Sequence, residues 1–221
     1  MSAWAGALAH EIKNPLNTMR LNVELLQEDW DQSDESSRAK SKKRLDTLIK
    51  EISRLEEILN DFLRFARLPK LNLEKSNISL LLNELLDFTE PEAQQLNISV
   101  IKDFSNELPE VYLDRSQMKQ ALMNILLNAY QSMPSGGDVV IKAYRVDSSV
   151  CIDITDSGEG IPQEKLSRIF DLFYSTKENG TGLGLSITKR IIEMHNGEIR
   201  VNSKKGKGTT FSVLIPIHHN T

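Results

Sequence analysis

The stretch ALAHEIKNPL at residues 7–16 is the part of the chain around which the rest is organised. Apolar residues pass through it in steps of three or four, at Trp4, Leu8, Ile12, Leu16, Met19, Val23, Leu26 and Trp30. Such spacing predicts an amphipathic helix with one buried stripe. His10 falls about 200° around the helix from Leu8, so we expect it on the solvated face, with Asn14 one turn later. An exposed histidine alone is ordinary surface, and its meaning depends on the motifs that follow.

Length and composition indicate a globular protein. With 221 residues, 39% of them hydrophobic, the chain is long enough for one large or two modest domains. Its formal net charge of −4 argues against nucleic acid as a partner. No apolar run approaches the roughly 18 residues that a membrane span needs, so we expect a cytoplasmic core. Cys151 is the single cysteine and lies in an apolar alternating segment, which excludes internal disulfides and cysteine-based metal sites.

A second helix with a continuous heptad seam is predicted after a polar stretch. Residues 29–43 interrupt the apolar period and are typical of a turn or loop. Beyond them, apolar side chains repeat in alternating steps of three and four, at Leu45, Leu48, Ile52, Leu55, Leu59, Phe62 and Ala66. A two-helix hairpin has too little surface to bury both stripes, so we expect two copies of the chain to form a dimeric four-helix bundle. The alternative is a hairpin packed on its own downstream domain.

A change of composition near residues 67–73 marks a domain boundary. Pro69 ends the helical pattern, so we place a helical domain at residues 1–68 and a second domain at residues 69–221. In the second domain, helices are predicted at residues 79–95, from Asp114 with a capping-box Gln117, and through 187–194. Strands are predicted at residues 98–104, 111–113, 138–145, 150–155, 198–202 and 209–217. The fold class is therefore α+β.

The helix that starts at Asp114 carries two asparagines on one face. Asn124 and Asn128 are four residues apart, and a separate apolar set forms the buried face. Asparagine inside a helix is unfavourable unless its amide has partners. Carboxamide oxygens are hard ligands that suit Mg²⁺, so the pair is a candidate metal site. Two solvent-facing asparagines are the alternative.

Two glycine-containing segments are candidate ligand sites. Asp156 ends a predicted strand before Gly158 and Gly160, which offers an acceptor carboxylate and a backbone that a flat ligand can approach closely. A tight turn capped by the aspartate is the alternative. The segment GTGLGL at residues 180–185 leads into an apolar helix, where backbone N–H groups and the helix dipole can hold phosphate. It matches neither a Walker loop nor a dinucleotide turn.

Residues 204–208, between the last two predicted strands, are interpreted as a solvated hairpin turn.

Together these elements resemble the catalytic core of the two-component sensor histidine kinases over nearly the whole chain. The motifs are HEIKNPL at residues 10–16 for the phosphoacceptor box, Asn124 with Asn128 for the N box, DSGEG at 156–160 and GTGLGL at 180–185 for the glycine boxes, and residues 170–173 for the F box. Asn14 and the segment 175–177 are closest to the nitrogen-regulation type. The resemblance implies a dimeric helical bundle joined to an α/β sandwich of the Bergerat type, shared by gyrase, mismatch-repair ATPases and heat-shock chaperones.

The resemblance also implies a role for each candidate residue. His10 would attack the γ-phosphoryl group of ATP, and Asp156 would accept a hydrogen bond from the adenine amino group. Asn128 and Asn124 would hold Mg²⁺ against the phosphates. Other nucleotide contacts would come from Gly158, Gly160, Phe173, Lys177, Thr181, Gly182, Leu183, Gly184 and Leu185, with Lys177, Gly182 and Gly184 forming a lid. The implied partners are a second copy of the chain and a separate response regulator, because the sequence contains no receiver-like segment.

The chemistry of residues 10–14 agrees with a phosphoacceptor role. A histidine with an ordinary pKa of about 6.5 is mostly neutral near pH 7, which leaves one ring nitrogen available as a nucleophile. Glu11 could accept the proton on the other ring nitrogen. Asn14 is placed to touch the phosphoryl group or a water beside it. In the family, an amide here is linked with removing phosphate from the partner, so phosphatase activity is a hypothesis.

Two other functions remain open from the sequence. A serine protein kinase of the anti-sigma type, or an ATPase clamp, could use the same sandwich, but neither explains His10 on a dimerising hairpin. A non-enzymatic dimeric scaffold would have no need of Asn128, Asp156 and both glycine boxes. Residue 1 lies nine positions before His10 and already inside the helical pattern. We therefore expect signal input from an upstream segment outside this chain or from a separate partner.

Overall fold

The protein folds into two compact units. The computed structural model describes the backbone of residues 3–30, 35–66, 70–177 and 181–217. Within these ranges the side chains of residues 3–11, 28–30, 35–39, 54, 57, 60–62 and 64–66 lie outside the description. One unit comprises Met1–Leu68 with Asp171–Leu183, and the other comprises Pro69–Phe170 with Gly184–Thr221. The segment 171–183 is thus grouped with the helices, and the functional limits 1–68 and 69–221 stay a prediction.

The first unit contains a helical hairpin formed by α1 (Ala3–Trp30) and α2 (Glu35–Ala66). The prediction of a turn or loop over residues 29–43 is wrong at both ends, because α1 runs to Trp30 and α2 begins at Glu35. The residues from Glu35 to Lys43 include neither glycine nor proline, and a solvated helical surface needs no apolar period. α1 also continues through Pro15, so the proline does not end the helix.

The apolar stripes of this hairpin are only partly covered. Pro15 and Ile58 are buried, and the guanidinium of Arg44 donates to the carbonyl of Leu25 across the two helices. Several apolar side chains are exposed instead, namely Leu16, Leu21, Val23, Leu45, Ile49, Ile52, Leu59 and Leu63. Half of the side chain of Ile52 is accessible, at 50%. One hairpin therefore leaves much of the predicted heptad seam uncovered.

The second unit is a sheet with helices on one face. Its strands are β1 (Glu74–Ser76), β2 (Ile98–Phe104), β3 (Val111–Leu113), β4 (Gly137–Val146), β5 (Ser149–Asp156), β6 (Glu198–Ser203) and β7 (Thr209–Pro216). Its helices are α3 (Ile78–Gln95), α4 (Arg115–Gln131), α5 (Gln163–Leu166) and α6 (Gly184–Met194). The main sheet has the order β2-β4-β5-β7-β6, parallel between β2 and β4 and antiparallel elsewhere. The predicted α+β class and sandwich are confirmed.

Alternation of side chains explains the two layers of this unit. Along β7, Phe211, Val213 and Ile215 are buried, whereas the residues between them are half-buried. The buried face of the sheet meets apolar residues of α3, α4 and α6, such as Leu85, Leu122 and Ile191, which are fully shielded from solvent. A strand with one covered face requires this two-residue period, which is why the sequence predicted the main strands closely.

The start of α4 differs from the predicted capping box. Asp114 is the N-cap, and its carboxylate accepts from the backbone N–H of Gln117 at 3.1 Å. The side chain of Gln117 returns to the Asp114 carboxylate rather than to the backbone N–H of Asp114. That N–H instead donates to Nε2 of His195, 2.9 Å away at the end of α6. A long-range partner therefore replaces the local one.

Candidate functional site

Asp156 lies at the end of β5 with its carboxylate held by the surrounding chain. It is buried, and Oδ1 accepts from the Ser132 hydroxyl at 3.2 Å, the Gly158 N–H at 2.9 Å and the Thr209 N–H at 3.2 Å. All three recorded bonds end on Oδ1, which leaves Oδ2 as the oxygen that can accept from a ligand. Burial raises the pKa of the Asp156 carboxyl, while the three hydrogen bonds act against that rise.

The glycines after Asp156 allow this turn to pack against its own chain. A Cβ on Gly158 would lie 2.1 Å from Oγ of Ser132, and one on Gly160 would lie 2.2 Å from the carbonyl oxygen of Lys204. Gly160 also has a φ of +65°, a region that side chains with a Cβ seldom adopt. Both glycines pack against protein atoms, and their contact with a ligand stays a prediction.

The β6–β7 hairpin supports the same turn. The N–H of Ile161 donates to Oγ of Ser203 at 2.8 Å, and the N–H of Gly206 donates to the carbonyl of Glu159 at 2.6 Å. A Cβ on Gly208 would lie 1.9 Å from the carbonyl oxygen of Asp156. Interpreting residues 204–208 only as a solvated turn missed this contact, because nothing local in the sequence indicates which strand end the hairpin meets.

One face of α4 is bonded to Gly184 near its middle and to Asp156 at its C-terminal end. Asn124 and Asn128 are both half-buried, and the C-cap residue Ser132 continues their four-residue series. Nδ2 of Asn124 donates to the carbonyl of Gly184 at 3.1 Å, while Ser132 donates to Asp156. At about 1.5 Å per residue, the two ends of this series are about 12 Å apart along the helix. Extending the four-residue spacing by one step would have identified Ser132 from the sequence.

The segment before α6 has a strained backbone. Gly182 has a φ of +67°, and a Cβ there would lie 2.4 Å from the backbone carbon of Phe173. Phe173 itself has a φ of +62°, which is unusual for a bulky residue and marks positions of functional interest. Thr181 accepts from the N–H of Leu183 through its hydroxyl at 3.4 Å, and Leu183 is buried.

Other predicted contact residues are placed as follows. Lys177 is exposed and forms a turn with Ser175, whose hydroxyl accepts from the Lys177 N–H at 3.0 Å and donates to its carbonyl at 3.2 Å. Leu185 is half-buried in the first turn of α6. Residues 178–180, including the first glycine of GTGLGL, lie outside the described residues.

The predicted phosphoacceptor segment lies in α1. The backbones of His10 and Glu11 are helical, but their side chains lie outside the described residues. The side chain of Asn14 is exposed. The backbone carbonyl of Asn14 accepts from the Thr18 hydroxyl at 3.3 Å. The relative placement of the three side chains therefore stays a prediction.

The donor set around α4 fits a magnesium ion only in company with phosphate. Among the side chains that the structure describes, no group of three or more His, Cys, Asp or Glu residues could hold a metal ion. Magnesium often binds through one or two protein oxygens together with substrate phosphates and water. Both hydrogen bonds of Asn124 use Nδ2, so its Oδ1 is the atom left for such a ligand.

Across the described helices, none has the length and apolar character of a membrane span.

Comparison with known families matches both parts of the chain. Residues 1–70 match the His Kinase A (phospho-acceptor) domain, and residues 113–219 match the family of histidine kinase-, DNA gyrase B-, and HSP90-like ATPases. The first match contains the segment with His10. The second contains α4, the Asp156 turn and the glycine-rich segment.

Individual relatives point to the same family. Sporulation kinase E of Bacillus subtilis is 34% identical to this chain, and the match covers 98% of this chain and 28% of the relative. For sporulation kinase C of the same organism, the match covers 49% of the relative. The chain thus spans less than half of the length of these curated relatives. A structure of the catalytic domain of histidine kinase ThkA is 32% identical, with a TM-score of 0.61 over 66% of this chain and 96% of that one. ThkA in complex with response regulator protein TrrA gives a TM-score of 0.79 at 28% identity, covering 97% of this chain and 61% of that one. The chain belongs to the sensor histidine kinases of two-component signalling.

Proposed function

We propose that the protein transfers the γ-phosphoryl group of ATP to His10 and then to an aspartate of a separate response regulator. The observation that carries this proposal is the series along α4. Asn124 is bonded to Gly184 at one end and Ser132 to Asp156 at the other, within a unit that matches an ATPase family. One helix thus carries amides for the phosphate end and, through Ser132, supports the acceptor for adenine at the end of β5.

The proposal assigns each nucleotide contact a physical role. Oδ2 of Asp156 accepts from the adenine amino group, and this hydrogen bond is stronger for the ionised carboxylate than for the neutral acid. Asn128 and Asn124 hold Mg²⁺ against the phosphates, where the ion supplies charge neutralisation. Further contacts come from Gly158, Gly160, Phe173, Lys177, Thr181, Gly182, Leu183, Gly184 and Leu185, among which Lys177 contributes positive charge to the phosphates.

The reaction at His10 needs little more than positioning. A neutral ring nitrogen of His10 forms the N–P bond while the bond from the γ-phosphorus to the β,γ-bridging oxygen breaks, releasing ADP. Glu11 accepts the proton of the other ring nitrogen and so removes the positive charge that develops on the ring as the N–P bond forms. In the second transfer, a carboxylate oxygen of the regulator replaces the His10 nitrogen at phosphorus.

Incubation with γ-labelled ATP tests the proposal. We expect an acid-labile, alkali-stable label on the protein that is absent from His10→Gln. Acid-stable label retained in His10→Gln would instead indicate a serine kinase. Absence of label, despite measurable nucleotide binding, would indicate a scaffold that only changes shape with nucleotide.

The partner and a reverse activity are further parts of the proposal. ThkA was solved with a response regulator, and we extend that class of partner to this chain. Asn14 is exposed one turn after His10, where its amide could orient a water for removing phosphate from the regulator. Asn14→Ala should lose phosphatase activity toward phosphorylated regulator while keeping autophosphorylation. Full phosphatase activity in that variant would refute the role.

Assembly and location complete the proposal. The exposed apolar side chains of α1 and α2 support a homodimer, since exposed apolar surface is typical of an interaction site. We propose a cytoplasmic position for these units and signal input from a segment outside this chain or from another protein.

A further inference from the structure

Thr188 is a buried polar residue that none of the steps above uses. It lies in α6, one turn after Gly184, and is fully shielded from solvent. Its Oγ1 donates to the carbonyl of Ala121 in α4 at 3.4 Å. The same oxygen accepts from Nδ2 of Asn124 at 3.4 Å. The hydroxyl therefore connects the two helices at the position of the first asparagine of the N box.

The direction of these bonds determines which way the Asn124 amide points. A hydroxyl has one hydrogen, and when Thr188 gives it to Ala121 only lone pairs remain toward Asn124. The carbonyl of Gly184 is also an acceptor and lies 3.1 Å from the same Nδ2. If the Asn124 amide were rotated by 180°, its Oδ1 would face two other acceptors, Oγ1 of Thr188 and the carbonyl oxygen of Gly184. Both neighbours therefore select the orientation in which nitrogen faces α6 and Oδ1 faces away from it.

We propose that Thr188 is a positioning residue for Mg²⁺: through its bonds to Ala121 and Asn124 it holds the Asn124 amide with Oδ1 presented to the ion. The inference rests on the proposed metal role of Asn124. Among the described residues, removing the hydroxyl leaves the carbonyl of Gly184 as the one neighbour that favours this orientation, so the preference of the amide for it weakens. Partners that orient a metal ligand in this way are worth about tenfold or more in metal affinity.

The test measures how strongly Mg²⁺ and nucleotide favour each other's binding in the full 221-residue chain. The dissociation constant of ADP is determined by calorimetry with Mg²⁺ and with EDTA, and the ratio of the two is compared between variants. In Thr188→Val, which keeps the shape of the side chain, we expect this ratio to fall about tenfold. Thr188→Ser retains the hydroxyl and should restore the ratio of the unsubstituted chain.

A matched control separates positioning from simple loss of a buried hydroxyl. Thr89 is buried in α3 and its hydroxyl bonds the carbonyls of Leu85 and Leu86 and the hydroxyl of Tyr130. Thr89→Val should lower the free energy of unfolding and leave the Mg²⁺ ratio unchanged. If Thr188 contributes only to stability, Thr188→Val should likewise lower the free energy of unfolding and leave the Mg²⁺ ratio unchanged.

Two outcomes overturn the inference in different ways. If Asn124→Ala abolishes the Mg²⁺ effect and Thr188→Val leaves it intact, Thr188 does not position the amide. If Asn124→Ala also has no effect, the proposed metal role of Asn124 fails, and this inference fails with it. Hydrogen exchange of the Asn124 side-chain NH₂, followed by NMR in the unsubstituted protein without nucleotide, covers the case of a Thr188→Val variant that does not fold. Slow exchange supports the two bonds, and exchange as fast as that of a solvated amide contradicts them.

Discussion

At the scale of single residues, the two carboxylate oxygens of Asp156 have different surroundings. Oδ1 receives hydrogen bonds from the chain, and the proposed bond from adenine is assigned to Oδ2. Burial raises the pKa of this carboxyl, so protonation on acidification begins at a higher pH than for an ordinary aspartate. Nucleotide affinity should accordingly fall as the pH is lowered through this raised pKa.

Acidification acts through the same carboxyl on the stability of the fold in the opposite direction from its effect on nucleotide affinity. A folded-state pKa above the unfolded value means that ionisation destabilises the fold, so this penalty disappears as the pH falls through that window. Asp156→Asn provides the reference, because it shares every other titration of protein and nucleotide. Relative to it, the unsubstituted protein should lose ADP affinity and gain free energy of unfolding on acidification. Parallel loss of both would contradict the prediction and indicate general acid unfolding.

Gly208 offers a second test at residue scale. Its φ is +89° and a Cβ there would lie 1.9 Å from the carbonyl oxygen of Asp156, whereas Gly206 in the same hairpin has a φ of +76° and open space around it. Gly206→Ala should cost about 1–2 kcal/mol from backbone strain alone. Gly208→Ala should cost about 1–3 kcal/mol more from overpacking, and should weaken ADP binding by displacing the Thr209 N–H from Asp156. Urea unfolding and calorimetry of the two variants check both statements, and equal behaviour of the pair would refute them.

At the scale of helices and strands, periodicity predicted most elements, and its absence explains the errors. β7 (Thr209–Pro216) differs from the predicted residues 209–217 by one position, because one covered face of a sheet imposes a two-residue period. β1 was not predicted, since it has three residues and only Ser76 is buried. Asn124 and Asp156 were chosen by residue type and spacing. Thr188 was not, because its partner Asn124 is 64 positions away and no local pattern records that contact.

The contact between α6 and the start of α4 also depends on such a long-range pair. His195 is buried, with Nε2 accepting from the Asp114 N–H at 2.9 Å and Nδ1 lying 2.7 Å from the carbonyl of Ile191. Since the Asp114 N–H is the donor, Nδ1 carries the proton in the neutral ring. This arrangement anchors the first turn of the helix that carries the N box.

Removing this acceptor should destabilise the ATP-binding unit. His195→Leu leaves the buried N–H of Asp114 without an acceptor, which costs about 1–3 kcal/mol in the free energy of unfolding. His195→Gln supplies an amide oxygen and should cost less. Urea denaturation of both variants measures the difference. A Gln variant no more stable than the Leu variant would show that the bond to Asp114 contributes little.

At the scale of the whole molecule, the exposed seam residues of the hairpin support the proposed homodimer. Ile52 and Leu59 are predicted seam residues and remain 50% and 51% exposed in one copy of the chain. Burial of a leucine or isoleucine side chain is worth about 1.5–3 kcal/mol, so a repeated set of them favours association strongly. Two hairpins that pair their seams would bury both stripes in a four-helix bundle, with each His10 on a helix of that bundle.

Charge placed in the seam should therefore produce monomers. Ile52→Glu combined with Leu59→Glu would bury unpaired carboxylates at the interface, a cost that removes the gain from the surrounding apolar contacts. Sedimentation equilibrium should give a dimer for the unsubstituted chain and a monomer for this variant. Phe88→Glu is the matched control, because Phe88 is 70% exposed but lies on α3 of the other unit, and this variant should remain dimeric. A dimer that persists in the seam variant and dissociates in Phe88→Glu would place the interface on the ATP-binding unit, and the heptad pattern would then need a different explanation.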